Sequence, residues 1–161
     1  MESAPAKGAT LWFELPSRPG AQVTQLSASS APHARSKKRV LVVEDNLLNQ
    51  ELVIGYLEDS DYAVTLAGDG RQGVDMFERE RFDVVLMDWQ MPEMDGLEAT
   101  RRIREFEQRR GLERTPIIAV TAHAMASDRD ACLAAGMDDY LIKPYSFDAL
   151  MRALRRWTSR A

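Results

Sequence analysis

The chain has a single cysteine among its 161 residues, little histidine, no excess of basic charge and no long apolar run, and each lack closes a class of function. One thiol cannot build an internal disulfide framework. Cys132 sits among Ala131, Leu133 and Ala134 in a helical pattern and reads as core packing rather than as a reactive thiol. No stretch approaches the roughly 18 apolar residues of a membrane helix, and the start of the chain lacks the basic-then-apolar plan of a signal peptide. A cytoplasmic protein with no membrane contact of its own is expected. The 21 basic residues against 25 acidic ones leave a net charge of -4, which provides no footprint for nucleic acid. With no cluster of His and Cys, an oxygen-ligated cation is favoured over zinc.

What is present suits one domain of ordinary size with a tail before it. Residues 17–38 are rich in Ser, Ala, Pro and Gln with few large apolar side chains, and read as a flexible linker that cannot offset the entropy of ordering. The basic cluster at 35–39 reads as a solvated run entering a strand rather than as a nucleic-acid patch. From 39 to 158, short apolar runs alternate five times with helical patterns, the sign of an α/β fold with a parallel sheet covered on both faces. Residues 39–43, 83–87 and 117–120 are continuous apolar runs, as central strands should be. The mixed run 62–67 and the brief run 140–142 suit the two edges.

Several helix signals are legible. Ser127 with Asp130 resembles a capping box, Gly136 stands where a left-handed residue would end that helix, and Ser146 can cap the last one. Phe147, Leu150, Met151, Leu154 and Trp157 then recur at helical spacing as a core stripe. In the first helix Leu48, Leu52, Tyr56 and Leu57 suffice for the core face, so Leu47, Val53 and Ile54 are surplus. Leu47 and Ile54, two turns apart on one side, form either an exposed docking patch or side chains half-covered by loops.

An open sheet of this kind binds ligands at the carboxyl ends of its strands. Those ends carry Glu44 and Asp45, then Asp88, Thr121 and Lys143. Singly, each has an ordinary explanation: a helix cap, a turn residue, a β-former, a surface charge. Together, four of five predicted strands deliver a polar group to one edge. Three converging carboxylates repel one another unless a cation neutralises them, and Mg2+ favours such an oxygen-only cup. An Asp there can attack a phosphoryl group to form an acyl phosphate, with Lys143 supplying a compact positive charge and Thr121 a hydroxyl donor.

These residues carry a resemblance. The runs Val43-Glu44-Asp45-Asn46, Met87-Asp88-Trp89-Gln90-Met91-Pro92, Val120-Thr121-Ala122 and Tyr140-Leu141-Ile142-Lys143-Pro144 are similar, in order and spacing, to those of response-regulator receiver domains. The resemblance spans about 38 to 157. It implies the flavodoxin-like strand order 2-1-3-4-5 and the following roles. Asp88 is the phospho-acceptor; Asp45 and the main-chain carbonyl of Gln90 bind the metal beside it; Glu44 acts through water; Thr121 and Lys143 contact the phosphoryl group. It implies a switch in which Tyr140 turns inward as Thr121 moves, and a cis bond before Pro144. Asp61 stands where such receivers often have Gly, a position an Asp can fill in a left-handed backbone. Gln90 and His123 occupy positions that in the family influence the lifetime of the phosphoryl group.

Upstream, Gly8 to Pro16 is similar to the last strand of a histidine-kinase ATPase domain, or is a chance aromatic patch in a tail. The first reading makes residues 1–16 a remnant of a kinase core and the whole a carboxyl-terminal piece of a hybrid sensor kinase. No Gly-rich nucleotide lid and no phosphorylatable His in a helical hairpin are present, so the chain itself is not expected to be a kinase. It is not expected to hold a DNA-binding output domain after Trp157. The implied partners are a histidine kinase core and a histidine phosphotransfer protein. Two other classes stay open: an interaction module that works without phosphorylation, and a flavin-binding domain of similar topology.

Overall fold

The computed structural model of the chain describes residues 37–122 and 126–159. The proposed remnant at 1–16, nearly all of the linker and His123 lie outside the described residues. Five βα units follow in order: β1 (Lys38–Val43), α1 (Leu47–Leu57), β2 (Tyr62–Ala67), α2 (Gly70–Arg79), β3 (Val84–Asp88), α3 (Gly96–Arg110), β4 (Ile117–Thr121), α4 (Ala126–Ala135), β5 (Asp139–Ile142) and α5 (Phe147–Thr158). All pairings are parallel and the sheet order is β2-β1-β3-β4-β5, with β2 and β5 at the edges as expected. Lys38, placed at the end of the linker from sequence, already forms the first residue of β1.

The sheet separates two cores because successive side chains of a strand point to opposite faces. Leu41, Val43, Val85, Met87, Ile117 and Ala119 face Val74 and Phe77 of α2, Ala99 and Ile103 of α3, and Cys132 of α4. Val40, Val42, Val84, Leu86, Ile118 and Val120 face Val53 and Leu57 of α1 and Leu150, Met151 and Leu154 of α5. Each buried Val, Leu, Ile, Phe or Met among them contributes about 1.5–3 kcal/mol of transfer free energy. Cys132 is core, as its surroundings in sequence indicate.

The face of α1 differs from the expected one. Val53 and Leu57 are buried, with Tyr56 packed beside them, while Leu48 is 75% exposed and Leu52 is also exposed. The helix is apolar nearly all round, so periodicity alone does not choose its inner face. Leu47 at 71% and Ile54 at 40% exposure do lie on the surface, and Leu48 and Leu52 enlarge that patch. In α5 the stripe holds except at its start, where Phe147 is 45% exposed and meets Tyr56 edge-on at 5.9 Å between ring centroids.

Ser146 caps α5 by accepting from the Ala149 N–H, and Gly136 ends α4 with φ of 99°. The helix α4 begins at Ala126, and the side chain of Ser127, read from sequence as its cap, lies outside those described. Asp61 is not left-handed. Among the described residues Glu93, with φ of 65°, is the non-glycine residue that is. The Lys143–Pro144 bond is cis.

Candidate phosphoryl-acceptor site

The strand-end residues singled out from sequence gather at one edge of the sheet. Glu44 and Asp45 follow β1, Asp88 closes β3, Thr121 closes β4 and Lys143 follows β5. One carboxylate oxygen from each of Glu44, Asp45 and Asp88 lies within 4.8 Å of the others. The Lys143 ammonium donates to Asp88 Oδ2 at 2.6 Å and to Glu44 Oε2 at 2.7 Å. The Gln90 backbone N–H donates to Asp88 Oδ1 at 3.2 Å, which brings that residue's main chain to the site. Thr121 is buried, and its carbonyl accepts the Lys143 N–H at 2.7 Å. Tyr140 stands one alternate position back on β5, paired with Ala119 as Ile142 is with Thr121, and so shares the sheet face of Thr121. The residue is 40% exposed.

Local structure holds these groups in place. Glu44 is buried; its Oε1 accepts from Asn49 Nδ2 at 2.7 Å and its carbonyl accepts from Gln50 Nε2 at 2.6 Å. Asn46 caps α1 through the Leu48 N–H at 2.9 Å, which starts the helix directly behind the acidic pair. Beside Asp88, Asp95 caps α3 through the Glu98 N–H at 2.7 Å. Gly96 lies so close to the strand end that a Cβ would stand 2.1 Å from the Asp88 carbonyl oxygen. The sequence reading assigns no role to Asn49, Gln50, Gly96 or Tyr145. The glycine directly after a helix-capping Asp was the available signal for Gly96.

Burial pushes the Asp88 carboxyl above the usual range; the Lys143 hydrogen bond opposes this, while the Glu44 charge adds to it. For Lys143, burial works against the ammonium, but the hydrogen bonds and charges of Asp88 and Glu44 outweigh it and raise its pKa. Tyr145 is buried behind them, and burial, then the charges of Glu44 and Asp88, push its phenol up to about 12. Three carboxylates against one ammonium leave two negative charges at the strand ends. That remainder, in an oxygen-only setting, matches one divalent hard cation. Asp45, the exposed member, is the one open to solvent on which such an ion can enter.

A parallel doubly wound sheet with this acidic cup at its strand ends defines a phosphoryl-accepting signalling module. A family model described as the response regulator receiver domain matches residues 40–155, and the chain belongs to that family. The sensor protein GacS of Pseudomonas syringae pv. syringae is 45% identical over 130 residues, which cover 81% of this chain but 14% of GacS. The chain thus spans a small part of that relative's length. The receiver domain of the sensor histidine kinase PA1611 from Pseudomonas aeruginosa PAO1, crystallised with a magnesium ion in its active-site cleft, is 48% identical. That likeness covers 76% of this chain and 98% of that one, with a TM-score of 0.69. The co-crystal of the Saccharomyces cerevisiae histidine phosphotransfer protein Ypd1 with the receiver domain of Ssk1 provides a further match, 31% identical with a TM-score of 0.72, covering 77% and 90%. The chain is a two-component receiver of the kind found in phosphorelays.

Proposed function

We propose that Asp88 is the phospho-acceptor of a phosphorelay. The observation that carries this reading is the convergence of Glu44, Asp45 and Asp88 within 4.8 Å, bridged by Lys143 at 2.6 Å from Asp88. An Asp88 oxygen attacks the phosphorus of a phosphohistidine; the P–O bond forms as the P–N bond breaks, and the electron pair leaves on the imidazole nitrogen. Asp45, Asp88 and the main-chain carbonyl of Gln90 would hold Mg2+, with Glu44 acting through water. The ion would supply charge neutralisation for the phosphoryl oxygens. Lys143 then turns from Asp88 toward a phosphoryl oxygen, and the Thr121 hydroxyl donates to another. As Thr121 moves, the Tyr140 ring turns in from the surface, and faster or slower hydrogen exchange on β5 reports that shift.

The exposed patch Leu47, Leu48, Leu52 and Ile54 stands directly behind the acidic pair and is of the kind that receives a partner helix. It is assigned to the histidine phosphotransfer protein, with a histidine kinase core as donor. The likeness to receivers of sensor kinases supports a layout of kinase remnant at 1–16, linker at 17–37 and receiver at 38–158, in a cytoplasmic part of a hybrid kinase. Among the described residues no helix is long and apolar enough to cross a membrane.

The test is direct: acetyl phosphate with Mg2+ should add one phosphoryl mass to the purified protein and none to Asp88→Asn. Equal labelling of the variant moves the acceptor elsewhere. Absence of labelling in both favours an interaction module.

A further inference from the structure

At the opposite end of the sheet from the acidic cup lies a second charged cluster that the phosphoryl chemistry does not use. Arg104, on α3, is nearly buried and spends its guanidinium on separate segments. Its Nε donates to the Gly136 carbonyl at 2.9 Å, one terminal nitrogen donates to Glu107 at 2.7 Å and to the Thr115 carbonyl at 2.8 Å, and the other donates to Asp138 Oδ2 at 2.7 Å. Asp138 precedes β5, and it takes both main-chain groups of the first residue of β4. Its carboxylate accepts the Ile117 N–H at 2.9 Å and its own N–H donates to the Ile117 carbonyl at 2.8 Å. Arg114 closes the cluster on the other carboxylate oxygen at 2.9 Å.

A buried ionic cluster is poor evidence for stability, because desolvation offsets most of the attraction, and its best-attested use is to fix one arrangement among several. The arrangement in need of fixing here is β5. That strand has four residues and a single neighbour, β4, so few ladder bonds set its register. A slip of one residue would turn every side chain to the other face. Lys143 is the next residue after this strand.

We infer that the Arg104–Asp138 clasp is the device that sets the register of β5 and thereby positions Lys143 against Asp88. Arg104 is a positioning residue: it touches nothing at the acidic cup and acts through about 17 Å of extended chain. Asp138 stops the strand at its entry, and the Lys143 N–H on the Thr121 carbonyl holds it at its exit. The carboxylates on β1 and β3 have no such dependence. Loss of the clasp should therefore impair the function of the lysine and spare that of the acids.

The inference rests on the reading of Lys143 as a phosphoryl contact, so its test uses one readout that needs no phosphorylation. In Asp138→Asn, which keeps an acceptor for Ile117, and in Arg104→Lys, the Lys143 amide should exchange about tenfold faster by NMR, with β1 and β3 amides much less affected. Acetyl phosphate labelling at saturating donor should slow roughly tenfold. Mg2+ affinity, read from Trp89 fluorescence, should hold within about twofold. Faster exchange confined to 115–117 and 136–138, with Lys143 and labelling unchanged, overturns the proposal and leaves the clasp a local staple. A uniform rise across β1, β3 and β5 overturns it as well, since that is general destabilisation. Should one of the two variants fail to fold, the other still decides. A wild-type protein that is not labelled, combined with a selective change at the Lys143 amide, would fault the acceptor reading and leave the clasp standing.

Discussion

Lys143 reaches Asp88 at 2.6 Å across 55 residues of sequence, and the same ammonium holds Glu44. One cation thus ties together the carboxylates of two other strands, and the energetics of the site follow from that bond.

The first prediction concerns Asp88 and pH. Its pKa is raised in the folded chain, so the folded form binds the proton more tightly and stability falls as pH rises through the folded value. At neutral pH the ionised carboxylate is a net cost. Asp88→Asn should then be the more stable protein in chelator, by on the order of 1 kcal/mol and a few degrees in Tm. That advantage should shrink as pH is lowered toward the ordinary carboxylate range. A variant less stable than the parent at pH 7 would reverse the assignment of burial as the dominant cause.

The second concerns the cation. Asp45 is exposed and at the cup, so Asp45→Ala should cost little stability, within about 0.5 kcal/mol. The same change should remove the Mg2+-dependent change in Trp89 fluorescence. A titration curve identical to the parent's would take Asp45 out of the ligand set.

A third prediction follows from Gly96. An added Cβ would meet the Asp88 carbonyl at 2.1 Å, an atom that cannot move without displacing the end of β3. Gly96→Ala should cost more than about 2 kcal/mol by chemical denaturation. It should slow labelling of whatever protein remains folded. An innocuous Gly96→Ala would show that the strand end is softer than this packing implies.

The fourth concerns the partner surface. Ile54→Lys places a charge in the exposed patch of α1, away from the buried Val53 and Leu57. Transfer to the cognate phosphotransfer protein should slow about tenfold, the loss of one well-packed apolar contact, with acetyl phosphate labelling and Tm nearly unchanged. Transfer at the original rate would move docking elsewhere, and the α5 face with Arg152 and Arg155 is the next surface to probe.

The strands were legible because buried parallel strands must be continuous apolar runs, and their ends then point to Glu44, Asp45, Asp88, Thr121 and Lys143. The inner face of α1 was not legible, since leucines pointing outward at 47, 48 and 52 are indistinguishable by period from those pointing inward. The clasp was hidden for a different reason. Arg104 and Glu107 have the three-residue spacing of any helix-surface ion pair, and the partners that make the arginine special are two backbone carbonyls and an Asp more than thirty residues on. Asp61 misled because a turn can close without a left-handed residue, while the left-handed non-glycine position among the described residues fell at Glu93.

The order of the strands in sequence has a consequence for when the domain becomes competent. The ammonium that completes the cup follows β5, the last strand to leave the ribosome. A nascent chain that already has β1 to β4 carries the carboxylates but not their counter-charge, and its unpaired acids repel. Under the roles proposed for Asp88 and Lys143, the cup is complete only once the last strand of the sheet has been made.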